Sequence, residues 1–279
     1  MPELPEVQTT VNALKLIEKS KIIKIRIILR KLRNLIPVNI SRKIRNTSVL
    51  EVYRIAKYII ISLDNKNSLI IHLGMSGRLK IKKLKEYKKQ KHDHVLIFFK
   101  KNILIFNDPR RFGIFDYDLT FSLSKNKYFH KIGLDPFDKS LTSVNFHRKC
   151  KISKRSIKQI LLDQRIISGI GNIYASEILF DAKISPFILG NQLNISDVSN
   201  LLISIRKILN KAIKLGGSSL RDYVSVDGTL GNFQNYFKVY GKQGKKINGC
   251  TILKTIQHGR STFYCPDLQN NINYSSNLD

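Results

Sequence analysis

The chain has 279 residues and carries 49 lysines and arginines against 20 aspartates and glutamates, a formal charge of +29. That length can bury a core in two domains, and that charge favours a polyanionic partner such as nucleic acid. The abundance of Lys, Ile and Asn also fits an AT-rich genome, so charge alone argues weakly. No apolar run approaches the ~18 residues of a membrane span, and the first residues lack the apolar stretch of a signal peptide. Three cysteines, Cys150, Cys250 and Cys265, make no disulfide framework. The expectation is a soluble intracellular protein.

In chain order, positions 7–19 carry Val11, Leu14 and Ile17 at helical spacing. β-branched strands are expected over 22–28, 49–55, 58–63, 69–73, 95–99 and 103–106, with a turn at Lys100-Lys101-Asn102. So many short strands suggest a β-sandwich or barrel. The stretch 81–92, with Lys82, Lys83, Lys85, Lys88, Lys89 and Lys91, reads as a solvated loop. At Gly133-Leu134-Asp135-Pro136 the pattern turns helical. A helix capped by Ser196-Asp197 presents Val198, Leu201, Leu202, Ile205, Ile208 and Leu209, and Gly216-Gly217 end it. Strands return at 251–256 and 261–264 around His258-Gly259, and the Asn/Ser-rich 269–279 reads as frayed.

The opening, Met1-Pro2-Glu3-Leu4-Pro5-Glu6-Val7, is the most informative segment. Trimming Met1 would make Pro2 a secondary amine that titrates near pH ~8, partly neutral at cellular pH. With an aldehyde-level carbon a secondary amine gives a cationic iminium, an electron sink. Glu3 beside it can move protons at the same centre. The plainer reading is that two prolines stiffen an entry segment, and these residues alone favour it.

Further motifs shift the balance. In Arg54-Ile55-Ala56-Lys57-Tyr58, Lys57 interrupts an apolar strand, and most such lysines snorkel to the surface. His72-Leu73-Gly74-Met75-Ser76-Gly77 puts Met75 on a glycine-bounded turn, where a core-filling role gives way to an exposed apolar tip. Asn107-Asp108-Pro109-Arg110-Arg111-Phe112-Gly113 is either a basic turn with one buried ring or a DNA wedge. In the wedge, an apolar side chain enters the base stack while Arg reads an exposed base edge. Gly169-Ile170-Gly171-Asn172 places glycines before a helix start, a weak signal for a phosphate nest.

Together these segments, with KHDHV, VYGKQG and HGRSTFYC, resemble the bacterial formamidopyrimidine-DNA glycosylase family of base-excision repair along nearly the whole chain. The resemblance implies an α+β protein. An N-terminal catalytic β-sandwich with flanking helices would span 1–134 and a helix–two-turn–helix DNA-binding domain 135–231. A zinc-finger-like β-hairpin and tail would follow over 232–279. The implied activity is removal of oxidised purines such as 8-oxoguanine and formamidopyrimidines from double-stranded DNA, with AP lyase cleavage by β,δ-elimination. Pro2 would attack C1′, Glu3 would donate the proton for base release, Lys57 would serve β-elimination and Arg260 δ-elimination. Met75, Arg110 and Phe112 would fill the void left by the flipped base. Arg110 would hydrogen-bond the orphaned cytosine. His92, Lys154, Lys158 and Asn172 would meet DNA phosphate, and 216–231 would form a mobile loop over the base.

The chemistry implied needs no cofactor. The family's structural zinc is expected to be missing, because Ile247 and Leu268 stand where two of four cysteines belong and only Cys250 and Cys265 remain. A monomer of the bacterial cytoplasm is expected. Two other readings stay open: a non-catalytic DNA-binding protein descended from such an enzyme, and an enzyme preferring oxidised pyrimidines. Intact Pro2, Glu3, Lys57 and Arg260 oppose the first; Leu4 and the Met75/Arg110/Phe112 set oppose the second.

Overall fold

The computed structural model describes residues 1–218, 226 and 231–269. Most of the expected loop at 216–231, and the tail from 270, lie outside the described residues. Contacts group the chain into two compact units, Met1–Lys131 with Ala212–Asn235 and Ile132–Lys211 with Tyr236–Asp279.

The first unit opens with α1 (Leu4–Leu14), and the short α2 (Ile40–Ile44) follows β1 (Lys24–Ile27). Then come β2 (Val49–Ile55), β3 (Tyr58–Leu63), β4 (Asn67–His72), β5 (Arg78–Lys83), β6 (Asp93–Phe98), β7 (Asn102–Asn107) and β8 (Ile114–Leu119). They form two four-stranded sheets, ordered β1-β6-β7-β5 and β2-β3-β4-β8, with antiparallel pairing throughout. β4 is buried along its whole length and β3 along nearly all of it, as their unbroken apolar runs require. Ile59, Ile61, Leu69 and Ile71 of one sheet join Leu79, Val95, Ile97 and Leu104 of the other in a single core. Val7, Val11 and Leu14 of α1 enter the same core. The sandwich expected from the strand pattern is present.

The lysine-rich loop expected from 81 onward begins later. Residues 78–83 form β5, paired with β7, with Leu79 buried and Ile81 packed on the core between half-buried lysines. Lysine density hid a period-2 pattern that places one face inside. β8 also went unforeseen, since Asp116 and Asp118 interrupt its apolar residues.

The second unit holds α3 (Ser143–Lys151), α4 (Ile157–Leu162), α5 (Asn172–Asp181) and most of α6 (Ile195–Lys214). The cap of α6 lies earlier than Ser196-Asp197. Asn194 Oδ1 accepts from the Asp197 N–H (2.9 Å), and the Asn194 N–H donates back to Asp197 Oδ2 (3.1 Å). Two short strands, β9 (Lys246–Ile247) and β10 (Cys250–Thr251), turn through Asn248-Gly249, and β11 (Leu253–Gln257) pairs with β12 (Arg260–Tyr264) through His258-Gly259. All four turn residues have positive φ, the geometry of tight two-residue hairpins. Val239, Ile252 and Phe263 form a small core beneath, flanked by Phe180, Tyr240 and Ile247.

Candidate active site

The first turn of α1 stations the N-terminal dipeptide. Pro2 and Glu3 are buried, and the Glu3 N–H donates to Glu6 Oε2 at 2.8 Å, the reach-back half of a capping box. Glu6 is itself buried, and its other oxygen, Oε1, accepts from the Ser218 N–H (2.7 Å) and hydroxyl (3.0 Å). Its position three residues past the cap was a legible signal, but nothing local announced Ser218 as its partner.

Lys57 lies in the two-residue turn Ala56-Lys57 between β2 and β3, closed by the Ile55–Tyr58 pair, rather than within a strand. Ala56 takes φ of 52°, which ends the ladder where sequence pattern alone continues it. The Lys57 side chain is buried. Arg54 ties this turn to α1, donating from Nε to Gln8 Oε1 (2.9 Å) and from Nη1 to the Ala56 carbonyl (3.0 Å). The structure thus brings Pro2, Glu3 and Lys57 onto adjoining elements of one unit.

His72 is a neighbour that sequence reasoning passed over. It pairs with Tyr58 across β3 and β4, with ring centroids 4.7 Å apart, and its Nδ1 accepts the Gly74 N–H at 3.0 Å. Burial first, and then the charges of Lys57 and Arg33, push its pKa down to about 4. A neutral imidazole therefore sits beside the lysine at neutral pH.

The two loops expected to fill the base void are packed together. A Cβ on Gly74, which has φ of +63°, would lie 2.5 Å from the Phe112 carbonyl carbon. Asp108 is fully buried and accepts from the Ser76 hydroxyl (2.6 Å) and the Gly113 N–H (2.8 Å). Ser76 Oγ in turn accepts the Arg110 N–H at 3.0 Å, and His94 Nε2 donates to the Asp108 carbonyl at 2.8 Å. On this frame Met75, Arg110 and Phe112 are exposed, with the Arg110 guanidinium 4.9 Å from the Phe112 ring centroid. His92, half-buried, adopts φ of 73° at the neighbouring bend.

In the second unit the expected residues converge on the hairpin. Lys158 is buried and donates to the Ser261 carbonyl (2.9 Å) and Thr262 Oγ1 (2.7 Å), while Asn172 Nδ2 donates to the same carbonyl at 2.9 Å. Gln257 donates to Ser156 Oγ (2.8 Å) and the Pro186 carbonyl (3.1 Å), and accepts from Thr262 Oγ1 (3.2 Å). Next to this anchored backbone, Arg260 is exposed and lines a cavity of about 270 Å³ with Arg155, Lys158, Arg165 and His258. Asp163 is the carboxylate there; hydrogen bonds from Arg165 and Arg155 hold it well below the usual carboxylate range. Lys154 is exposed. Glu177, also unforeseen, accepts the N–H groups of Lys238, Val239 and Tyr240, fixing the entry to the hairpin.

The sequence offered no reason to pair cysteines, yet a disulfide joins Cys250 to Cys265, with Cα atoms 6.1 Å apart. They meet because β10 packs against the turn Pro266–Leu268. Among the described residues no group of three or more His, Cys, Asp or Glu is arranged to hold a metal. With Ile247 in the small apolar core and Leu268 on that turn, the donor set does not fit a four-ligand structural zinc.

His72 gives a pH-dependent prediction. Its folded pKa lies below its ordinary 6.5, so the unfolded chain binds the extra proton as pH falls from 6.5 to about 4. Stability is full above that window and declines through it, by roughly 3 kcal/mol from this group. Urea unfolding followed from pH 7 to pH 4 should show that loss, and His72→Gln should remove most of it. Equal pH slopes in both proteins would reject the assignment.

Known proteins agree with this architecture. Residues 1–115 match the formamidopyrimidine-DNA glycosylase N-terminal domain family, and residues 132–224 match its H2TH domain family. The chain is 43% identical to a formamidopyrimidine-DNA glycosylase of Rickettsia massiliae, covering 96% of this chain and 97% of that protein. It is 42% identical to that of Zymomonas mobilis, covering 96% and 100%. Among solved structures, a Lactococcus lactis FPG mutant in complex with Fapy-dG-containing DNA superposes with a TM-score of 0.89 at 36% identity, covering 96% of this chain and 100% of that one. The Lactococcus lactis protein with abasic-site DNA gives the same score, identity and shares to within 1%. The chain belongs to the formamidopyrimidine-DNA glycosylase family.

Proposed function

We propose that this protein excises oxidised purines from duplex DNA and then cleaves the abasic strand, using Pro2, Glu3, Lys57 and Arg260. The observation that carries this reading is the buried Pro2–Glu3 dipeptide, fixed by Glu6 and joined through α1 to the Lys57 turn. With Met1 removed, the Pro2 nitrogen attacks C1′ and the base departs with a proton from Glu3. As the C1′–O4′ bond then breaks, the proton on the Pro2 nitrogen passes to O4′ and leaves an iminium that acidifies C2′; loss of that C2′ proton expels the 3′ phosphate, with Lys57 as the proton donor of this step. A second elimination, assisted by Arg260, expels the 5′ phosphate. Burial of the dipeptide suits the chemistry because excluded water strengthens these charge interactions and spares the iminium from early hydrolysis.

Met75, Arg110 and Phe112 fill the space vacated by the flipped nucleotide, and the packed loops beneath them support that use. The exposed Lys154 and the half-buried His92 are assigned to phosphate. Lys158 and Asn172 hold the hairpin backbone and present the strand edge to the same polyanion. The residual pair Cys250 and Cys265 supports a protein that works without zinc. Among the described residues no helix is long and apolar enough to cross a membrane; the proposed setting is the bacterial cytoplasm, with the protein as a monomer on its DNA.

Three outcomes are expected. Borohydride should trap the protein on 8-oxoguanine·C duplex through Pro2, and Pro2→Gly should reduce trapping at least tenfold; a tryptic adduct on a lysine would overturn the assignment. Arg110→Ala should erode preference for C over A opposite the lesion, since a good Arg–base contact is worth about 1–3 kcal/mol. Unchanged opposite-base preference would demote Arg110 to a phosphate contact. Purified protein should contain far less than one zinc per chain and keep strand cleavage in strong chelator. Stoichiometric zinc, with activity lost on chelation and restored by the metal, would reverse the metal-free reading.

A further inference from the structure

We infer that the Cys250–Cys265 bond takes the mechanical place of a metal in this hairpin, and that its oxidation state sets how far strand cleavage proceeds from β- to δ-elimination. The inference rests on the reading that Arg260 assists the second elimination. It starts from where the bond lies. Cys250 and Cys265 are 15 residues apart in sequence, and β11, the His258-Gly259 turn and β12 all lie between them. A two-stranded ribbon by itself is marginal in water. This one is fastened at both ends by different means.

At the turn end, Lys158 and Asn172 hold the Ser261 carbonyl, and Gln257 is tied to Ser156 and Pro186. At the open end, Cys250 and Cys265 are buried and joined, and the Cys265 N–H is held by Gln269 Oε1 at 2.7 Å. Gln269 in turn donates to the Ile184 carbonyl at 2.9 Å. Arg260 pairs with Gln257 as the last rung before the turn. Its direction therefore depends on the register of the four rungs behind it. Opening the disulfide removes the covalent tie at the far end of that ladder, leaving the Gln269 bonds and the small core of Val239, Ile252 and Phe263 to hold it. Pro2, Glu3 and Lys57 belong to no part of this loop, so base release and the first elimination do not depend on the bond.

The chemistry balances with hydrogen peroxide as oxidant. One thiol is oxidised to a sulfenic acid with release of water, and the second displaces a second water to close the disulfide. A dithiol reductant reverses this by exchange, returning two thiols and becoming a disulfide itself. In a reducing compartment the pair rests as thiols, and peroxide, an oxidant of the class that damages guanine, closes it. Cys150 lies outside this loop, on α3, and is a free buried thiol.

The test uses the full chain, oxidised with hydrogen peroxide or reduced with a dithiol, and Cys250→Ser treated in the same two ways. Peptide mass spectrometry without reductant identifies the bond. Single-turnover cleavage of an abasic duplex reads the ratio of δ- to β-elimination ends, borohydride trapping reads the first step, and Arg260→Ala is the control. The expected result is a δ:β ratio at least threefold higher in the oxidised protein, equal trapping, and a low ratio in Cys250→Ser under both treatments. Two thiols that survive peroxide overturn the inference, as does an equal ratio in both states while Arg260→Ala loses the δ product. If Arg260→Ala keeps the δ product, the reading of Arg260 fails. The staple is then judged by hydrogen exchange of the β12 amides, faster on reduction if it holds and unchanged if it does not.

Discussion

The first unit depends on one buried carboxylate. Glu6 sits at the start of α1, where its charge meets unsatisfied N–H groups and the positive end of the helix dipole. A charge so deeply buried is tolerable only when its oxygens are occupied. Here they receive the Glu3 N–H and both donors of Ser218. The approach of the second segment needs the end of α6 to be glycine. Gly217 has φ of +76°, and a Cβ there would press on Glu6 Cγ and Oε1 at 3.0 Å. An adjoining face of α1 contributes Val7, Val11 and Leu14 to the sandwich core. The Pro2–Glu3 dipeptide is consequently held by charge–dipole contacts and by apolar packing.

The second unit repeats the device. Glu177, within α5, accepts three consecutive backbone N–H groups as the chain enters the hairpin region. Burial raises its proton affinity and the three donors oppose that rise. In both units an internal carboxylate gathers backbone donors from a distant segment and fixes chain that carries functional side chains. Asp108 does the same for the loop bearing Arg110 and Phe112. The exposed tips are thus free to meet a ligand while the backbones beneath them are not free to move.

The hairpin departs from this scheme. Its anchors are a lysine, an asparagine and a glutamine acting on backbone and hydroxyl groups, with a covalent link between Cys250 and Cys265. The backbone beside Arg260 is therefore held by neutral acceptors, and among the described residues no carboxylate is hydrogen-bonded to the β12 backbone. The paired Arg155 and Arg165 around Asp163 leave the neighbouring cavity with a cationic excess. Such a surface attracts a phosphate without a dedicated acidic partner.

Much of this was legible in the sequence. Short β-branched stretches gave β2 and β3 to the residue, although β3 is buried on both faces and β2 is largely exposed on one. Two-residue turns at His258-Gly259 and the glycines closing α6 were equally plain, since few residues accept positive φ. The order of the motifs carried the family and the candidate residues Pro2, Glu3, Lys57 and Arg260. What the sequence could not decide were the partners of its buried polar groups. Glu6 with Ser218, Lys158 with Thr262, and Cys250 with Cys265 lie 212, 104 and 15 residues apart. The strand β5 was hidden for a related reason, because its lysines read as solvent until pairing with β7 assigned them a face. Local pattern is set by each residue's own preference for water and backbone angle; the pairing of charges and thiols is set by which distant segments the packed core brings within a bond's reach.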